Sequence, residues 1–188
     1  MGSTPVRLTD MSLSITEHLS NLTRHIDLVR EACELLGNRL IEKGEVELGI
    51  AVIARGYKHD ESKFHGIEWD YLHQGPDIPA EQLKMAQQSH IANNDHHPEF
   101  WGTIQEMPRV ALAEMTADCY ARSQEFGTSL REWIDEKATE KYDFKKGDET
   151  YVTLMEFVDL LLVNYFTESK PKKAGKKPLT KKAKPAKI

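Results

Sequence analysis

The chain has 188 residues, of which 39% are hydrophobic and 29% are charged, and its formal net charge is -5 at pH 7. This length favours one domain with an ordinary hydrophobic core over two domains. The two cysteines, Cys33 and Cys119, show no paired spacing, which favours free thiols in a reducing compartment over a disulfide. Residues 1–10 lack the apolar centre of a secretory signal, and the longest apolar stretch, residues 151–166, is too short and too charged to cross a bilayer. We therefore expect a cytoplasmic protein with no membrane segment.

Basic residues are concentrated at the C-terminus. Nine of the 25 Lys and Arg residues lie from Lys170 onward, where no acid occurs, so residues 1–169 carry 16 basic and 30 acidic side chains. The lysine-rich, proline-broken segment 169–188 is predicted to be a disordered basic tail, and residues 1–11 a flexible N-terminus. The domain is therefore expected within residues 12–168. We interpret the tail as solubilising, with weak, salt-sensitive contact to nucleic acid or to the acidic body as the alternative.

Apolar residues at helical spacing predict the first two helices. The first is expected to start at a capping box formed by Ser14 and Glu17. Its apolar face consists of Ile15, Leu19, Leu22, Ile26, Val29, Cys33, Leu36 and Leu40. After a turn at Gly44, the second helix begins near Glu45, and the residues that it is expected to direct into the core are Val46, Ile50, Ile53 and Tyr57.

Asp60 occupies the next position on the predicted inward face of the second helix, which we call its stripe. If the helix continues, the carboxylate points into the core together with Ile53 and Tyr57. An isolated buried carboxylate costs roughly several kcal/mol, so a cation or hydrogen-bond donors must lie near it. The sequence therefore predicts a partner for Asp60.

Proline and glycine residues mark where the remaining predicted helices begin and end. A third is predicted from Pro79 through Leu83, Ala86 and His90, and residues 93–101 then break the pattern. A fourth helix begins near Pro108 and ends at Gly127. Its apolar face is formed by Leu112, Met115, Cys119 and Phe126, and Asp118 lies beside this face.

A shorter helix is predicted over residues 128–142, and Asp148 is expected to cap the last one. The inward residues of the last helix are predicted to be Tyr151, Met155, Val158, Leu162 and Tyr165. This pattern gives about six helices and no convincing strand. The fold class is therefore all-α, a single-domain helical bundle.

Histidine and aspartate residues near helix ends and inner faces form a candidate metal site. They come from four separate segments and are His25, His59, Asp60, His90, His96, His97 and Asp118. Imidazole nitrogen and carboxylate oxygen together suit Zn, Fe, Mn, Co or Ni. Neighbouring residues such as His59 and Asp60 point about 100 degrees apart on a regular helix, so both reach one cluster only where the backbone leaves the helix. The end of the second helix is expected to supply that departure.

The order of these residues resembles the HD-domain superfamily of all-α metal-dependent phosphohydrolases. The stretches HDESKF, NNDHHPEFW and EMTADCYARS are similar to an uncharacterised phage and bacterial family within or near that superfamily, over roughly residues 14–166. The resemblance implies that one divalent metal is held by His25, His59, Asp60 and Asp118. For a second metal it implies His90 and either His96 or His97, with Asp60 as the bridge. The spacing of His90 and His96 is tighter than in two-metal relatives, which leaves the second site open.

The resemblance also implies roles beyond metal binding. Lys63 stands where HDxxK members of the superfamily place a lysine near the substrate phosphate. Arg24, beside His25, is a second candidate for contact with phosphate. Because HD-type relatives are often dimers or larger, a homo-oligomer is also expected, and a phage-encoded protein would lie in the host cytoplasm.

Each candidate ligand also has a structural explanation that the sequence leaves open. These explanations are a helix-boundary histidine for His25, an ordinary helix end for His59 and Asp60, an ion pair with Arg122 for Asp118, and a core histidine for His90. Pro98 favours an extended His97, so at least one of the adjacent pair can be structural, and His96 is preferred as the ligand. Glu61 and Glu114 are either acceptors that orient the histidines or solvated acids.

This ligand set predicts a metal-dependent phosphohydrolase acting on a small phosphorylated substrate, with a nucleotide as first choice. The expected catalytic residues are Asp60 at the metal, Asp118 or a nearby acid as proton acceptor, and Lys63 at the phosphate, assisted by Arg24. The acidic body argues against a large polyanionic partner. Two alternatives are an HD-type di-iron oxygenase, which uses the same series of ligand types, and a non-catalytic module that contacts nucleic acid through the basic tail.

Overall fold

Helices form at each of the six places where apolar spacing predicts them. The computed structural model describes residues 15–72 and 78–163, and within these ranges the chain is all-α without a strand. The helices are α1 (Ile15–Glu42), α2 (Val46–Gly56), α3 (Gly66–Leu72), α4 (Ala80–Asn93), α5 (Pro98–Trp101), α6 (Arg109–Phe126), α7 (Leu130–Glu132), α8 (Thr139–Lys141) and α9 (Glu149–Leu162). None of the described helices combines the length and the apolarity that a membrane crossing requires.

Three other helical segments, of two kinds, join these helices. A 3-10 turn covers Glu61–Phe64, a second covers Ile104–Glu106, and a π-helical segment, Trp133–Ala138, connects α7 to α8. Helix α3 and the two 3-10 turns are absent from the sequence prediction. The predicted flexible N-terminus, the basic tail, the capping residue Ser14 and the inward residue Tyr165 lie outside the described ranges.

The main core is enclosed by α1, α2, α6 and α9. Helix α1 contacts the other three, α6 contacts α2 and α9, and together the four bury a continuous apolar cluster. Its fully enclosed members include Val29, Leu36, Leu40, Val52, Ala111, Ala117, Leu154 and Phe157. Helices α3 and α4 pack on each other beside this core, and the 3-10 turn Glu61–Phe64 contacts both. The bundle therefore has a large apolar side and a smaller flank built by α3 and α4.

Helix α2 packs on α1 through glycines rather than through its bulky residues. A Cβ atom placed on Gly37 would lie 2.5 Å from Ile53 Cγ1 and 2.6 Å from the carbonyl oxygen of Gly49. The inward face of α2 is therefore Gly49, Val52 and Gly56. The predicted inward stripe is wrong at Val46, Ile50 and Tyr57, which are 41%, 57% and 65% exposed, whereas its fourth member, Ile53, is half-buried against α1.

Two further helix faces differ from prediction by a small rotation. In α9 the buried residues are Thr150, Leu154, Phe157, Val158 and Leu161, whereas the predicted Leu162 is exposed. In α6 the predicted line is buried at Leu112 and Met115 but ends in an exposed Phe126. Asp148 precedes α9 as predicted, but its carboxylate accepts a hydrogen bond from the backbone N–H of Lys145 instead of capping the helix.

Candidate metal centre

The backbone reverses at Asp60 and directs two neighbouring side chains into the same space. Helix α2 ends at Gly56, and Asp60 adopts the left-handed conformation with φ 57° and ψ 19°. His59 and Asp60 are both buried, and His59 Nε2 lies 3.5 Å from Asp60 Oδ2. The predicted departure from helical geometry is present. The buried position of Asp60 comes from this turn and not from continuation of the α2 stripe.

Residues of the two long core helices meet this turn. His25 of α1 and Asp118 of α6 approach each other with Nε2 3.1 Å from Oδ1. One candidate ligand atom each from His25, His59 and Asp60 lies within 4.8 Å of the other two, and the same holds for His59, His96 and Asp118. We call His25, His59 and Asp118 the core half of the site. The ion pair between Asp118 and Arg122 that the sequence left open does not form. Asp118 contacts His25, and Arg122 pairs with Glu125.

His90 and His96 approach the other oxygen of Asp60, and His97 lies beside His90, while the ring of His96 also packs against that of His59. Helix α4 ends at Asn93, and an extended Asn94 turns the chain so that the loop before α5 returns toward His90. His90 Nε2 and His96 Nε2 lie 3.4 and 3.7 Å from Asp60 Oδ1. His97 Nε2 lies 2.9 Å from His90 Nε2. We call His90, His96 and His97 the peripheral half, which therefore includes both members of the adjacent histidine pair.

Carboxylates behind the histidines fix the direction of the imidazole rings. Glu114 lies 2.9 Å from His59 Nδ1 and 3.4 Å from His96 Nδ1. Glu125 lies 3.2 Å from His25 Nδ1, and Glu68 lies 2.9 Å from His90 Nδ1. When a carboxylate accepts the Nδ1 hydrogen, the lone pair of Nε2 is left to face a metal. Each of these four histidines therefore presents its Nε2 edge to the centre.

Only one of these carboxylates was among the candidates from sequence. The sequence left two interpretations for Glu114 and Glu61, an acceptor that orients a histidine or a solvated acid. The first holds for Glu114, whereas Glu61 is exposed to solvent. Glu125 was missed, although it lies seven residues after Asp118 and therefore on the same face of α6. Glu68 was missed because α3 itself was not predicted.

Several polar atoms at the centre are buried without a hydrogen bond. Within the described ranges these include His59 Nε2, Asp60 Oδ1, His96 Nε2 and Asp118 Oδ1. Asp118 Oδ1 is close to His25 Nε2 but is not aligned with it for a hydrogen bond. Leaving one buried polar atom unsatisfied costs about 1–3 kcal/mol. Ligand atoms of His59, His96 and Asp118 lie within 4.8 Å of one another, as do those of His25, His59 and Asp60, so the residues present fit a metal ion.

The electrostatic environment keeps the oxygens anionic. Burial alone would raise the pKa of Asp60, but His59 and Lys63 outweigh it and hold this pKa below its usual range. Burial likewise opposes ionisation of Asp118, and the adjacent His25, with the charge of His59, keeps its pKa low. Both carboxylates are therefore available as anionic ligands at neutral pH.

The imidazoles of the peripheral half are neutral at the same pH. Burial, followed by the charge of His59, lowers the pKa of His96 to about 3. Burial also lowers the pKa of His90 and of His97. His59 differs, because its hydrogen bond to Glu114 and the charge of Asp60 outweigh burial and raise its pKa. Neutral nitrogen together with anionic oxygen is the donor set that borderline divalent cations prefer.

The two residues predicted to contact phosphate line a cavity beside the centre. This cavity has a volume of about 530 Å³ and is bounded by α1, the end of α3 and the end of α6. Lys63 and Arg24 both line it, as does His25 of the core half. Lys63 Nζ is 2.5 Å from Asp60 Oδ2, whereas Arg24 is exposed. Arg122 adds a third cation to the wall.

The fold and the site define an all-α protein with a buried histidine and carboxylate cluster next to a cation-lined cavity. The chain belongs to the family of unknown function DUF5662, whose family model matches residues 14–160. Comparison with curated proteins and with solved structures found no match.

Proposed function

We propose that the chain is a metal-dependent phosphohydrolase of the HD-domain type. The observation that carries this proposal is the group of four buried ligand atoms without hydrogen bonds, drawn from α6, from the turn after α2 and from the loop before α5. A purely structural cluster would gain by pairing or solvating these atoms. Together with His25, these residues offer ligand atoms in two overlapping groups of three that share His59, each small enough for one metal ion, and this supports the proposal.

His25, His59, Asp60 and Asp118 would hold the first cation. His90, His96 and His97 of the peripheral half would hold a second, with Asp60 available to both. A divalent cation bound in such a site lowers the pKa of bound water toward ~7 and offsets charge on a phosphoryl oxygen. Asp118, or Glu125 behind His25, would accept the proton from that water.

The substrate is proposed to be a small phosphorylated molecule, with a nucleotide as first choice. Lys63 would neutralise phosphate oxygens next to Asp60, and Arg24 and Arg122 would attract the anion to the cavity. Residues 1–169 carry 30 acidic and 16 basic side chains, so a large polyanion would be repelled by most of the surface. A small anion can instead enter through the local group of cations.

The experiment is elemental analysis of purified protein combined with phosphate release from a panel of nucleotides. The test variant is Asp60→Asn, because asparagine tolerates the left-handed conformation that this position requires. We expect loss of bound metal and of phosphate release together. Asp27→Asn, an exposed position on α1, is the matched control and should behave as wild type. Unchanged metal content in Asp60→Asn would contradict the proposal.

A di-iron oxygenase is the second candidate, because the position of Asp60 would suit two irons as well as two hydrolytic cations. Asp60 Oδ1 faces His90 and His96, while Asp60 Oδ2 faces His59, so the carboxylate is placed to bridge two cations. Iron retained through aerobic purification, with an absorption band that responds to reductant, would support the oxygenase. Zinc, manganese or cobalt together with phosphate release would support the hydrolase.

A further inference from the structure

Glu68 is a fully buried carboxylate. Its hydrogen-bond partners are two serine hydroxyls and the imidazole of His90. It is 1% exposed, and its oxygens accept hydrogen bonds from Ser62 Oγ at 2.8 Å, Ser89 Oγ at 3.3 Å and His90 Nδ1 at 2.9 Å. Among the described residues its ion pair is with His90 rather than with a lysine or arginine. A buried carboxylate is costly without a counter-charge. For Glu68 the ring of His90 is the group through which a cation at the centre would supply that charge.

The hydrogen bonds of Asn94 decide which nitrogen of His90 carries hydrogen. Asn94 Nδ2 lies 2.7 Å from Ser62 Oγ, 2.8 Å from the carbonyl oxygen of His90 and 3.0 Å from His90 Nδ1. An amide nitrogen has two hydrogens, and the two shorter contacts use both of them. His90 Nδ1 therefore does not accept from Asn94 and donates its own hydrogen to Glu68.

This assignment leaves the lone pair of His90 Nε2 facing the centre. The atom lies 2.9 Å from His97 Nε2 and 3.4 Å from Asp60 Oδ1. His90 Nε2 therefore lies next to a second imidazole nitrogen and to a carboxylate oxygen, each of which can be a metal ligand. His90, His96 and His97 also each offer a ligand atom within 4.8 Å of the other two.

Glu68 also connects the segments that carry these ligands. Ser62 belongs to the 3-10 turn that follows Asp60, and Ser89 and His90 belong to α4. By accepting from all three, Glu68 of α3 holds the turn and α4 at a fixed separation. The position of Asp60 relative to His90 therefore depends on this carboxylate.

We propose that Glu68 is the positioning residue for a divalent cation in the peripheral half. It fixes His90 in the Nδ1–H form and raises the basicity of Nε2 through the shared hydrogen bond. This inference rests on the proposed function, because it requires the site to bind metal. It goes further by assigning the second cation its own supporting carboxylate, separate from Glu114 and Glu125.

The experiment is a Co²⁺ titration of full-length protein after chelation, with bound metal counted per chain. Wild type is expected to bind two equivalents. In Glu68→Gln the second equivalent should bind about 10–100-fold more weakly while the first is unchanged, and excess Co²⁺ should restore it. A purely structural role would weaken both equivalents together. Glu61→Gln, an exposed acid in the adjacent 3-10 turn, is the matched control and should bind as wild type.

A second variant, Glu68→Asp, keeps the charge but shortens the side chain by one methylene and should weaken the second equivalent by an intermediate factor. It tests the same inference if Glu68→Gln does not fold. Unchanged affinity for the second equivalent in either folded variant would overturn the role of Glu68. A wild type that binds only one equivalent would also overturn it but would leave the core half in place. A wild type that binds no metal would contradict the proposed function itself.

Discussion

The core half and the peripheral half of the site are held in place by different forces. His25 and Asp118 lie on α1 and α6, two long helices that share the main apolar core. Around them Val29, Ala117 and Ala121 are almost completely buried. Apolar packing of this kind does not depend on a ligand. The core half should therefore keep its geometry whether or not a cation is bound.

The peripheral half has little apolar packing behind it. Ala86 is the buried residue of α4, and the buried residue of α3 is the carboxylate of Glu68. The segments are joined instead by hydrogen bonds among the side chains of Ser62, Glu68, Ser89, His90 and Asn94. Polar networks of this kind are stabilising only when every member is satisfied. The comparison teaches that the two cations should differ in how strongly their sites are pre-organised.

Removing one ligand from each half is the strongest test of that difference. In Asp118→Asn we expect the first cation to be lost and phosphate release to fall to background, because the core half also carries the proposed proton acceptor. In His97→Asn we expect loss of the second cation alone and a smaller fall in turnover. Metal counting and phosphate release on both variants provide the measurement. Equal loss of both cations in the two variants would show that the halves do not act separately.

The close contact between α1 and α2 offers a test of the core half by packing alone. A Cβ atom on Gly56 would lie 2.6 Å from Cys33 Cβ and 3.3 Å from the Cα atom of Arg30. Gly56→Ala should therefore push the end of α2, and His59 with it, away from α1. We expect a loss of about 1–3 kcal/mol in the free energy of unfolding and weaker binding of the first cation.

Urea unfolding and metal titration of Gly56→Ala measure these two effects. Ile50→Ala on the exposed face of α2 is the control and should change the free energy of unfolding by no more than about 0.5 kcal/mol. If Gly56→Ala binds the first cation as tightly as wild type, His59 does not depend on the contact between α1 and α2.

The sequence predicts the helices well but the buried face of α2 poorly, and glycine is the reason. Periodicity analysis assigns the inward face to bulky apolar residues, and Gly49 and Gly56 contribute no such signal. These glycines let α1 approach so closely that Ile50 and Tyr57 face solvent. Asp60 is buried as predicted, although the cause is a left-handed turn that no stripe could reveal.

Some residues of the candidate site could likewise be predicted from the sequence, and others could not. Residue type singled out the wider set of histidines and aspartates, the family resemblance implied the group His25, His59, Asp60 and Asp118, and the structure brings these four together. Glu68 could not be found, because α3 is short and its hydrogen bonds join segments that are distant in sequence. The inclusion of His97 likewise depends on how the chain turns after α4, which is a tertiary feature. Metal binding by these residues stays a prediction.

The smallest expected effect concerns substrate entry, which should be independent of both halves. Arg24 lines the cavity beside His25 and is exposed to solvent, so screening limits its attraction for a phosphate to about 1 kcal/mol. In Arg24→Gln we therefore expect KM for the best nucleotide to rise about fivefold, with kcat and both metal equivalents unchanged. Steady-state kinetics at low salt measure the change, and Arg131→Gln, an exposed arginine paired with Asp159, is the matched control. A fall in kcat or a lost metal equivalent in Arg24→Gln would mean that the cavity wall and the core half are coupled through His25.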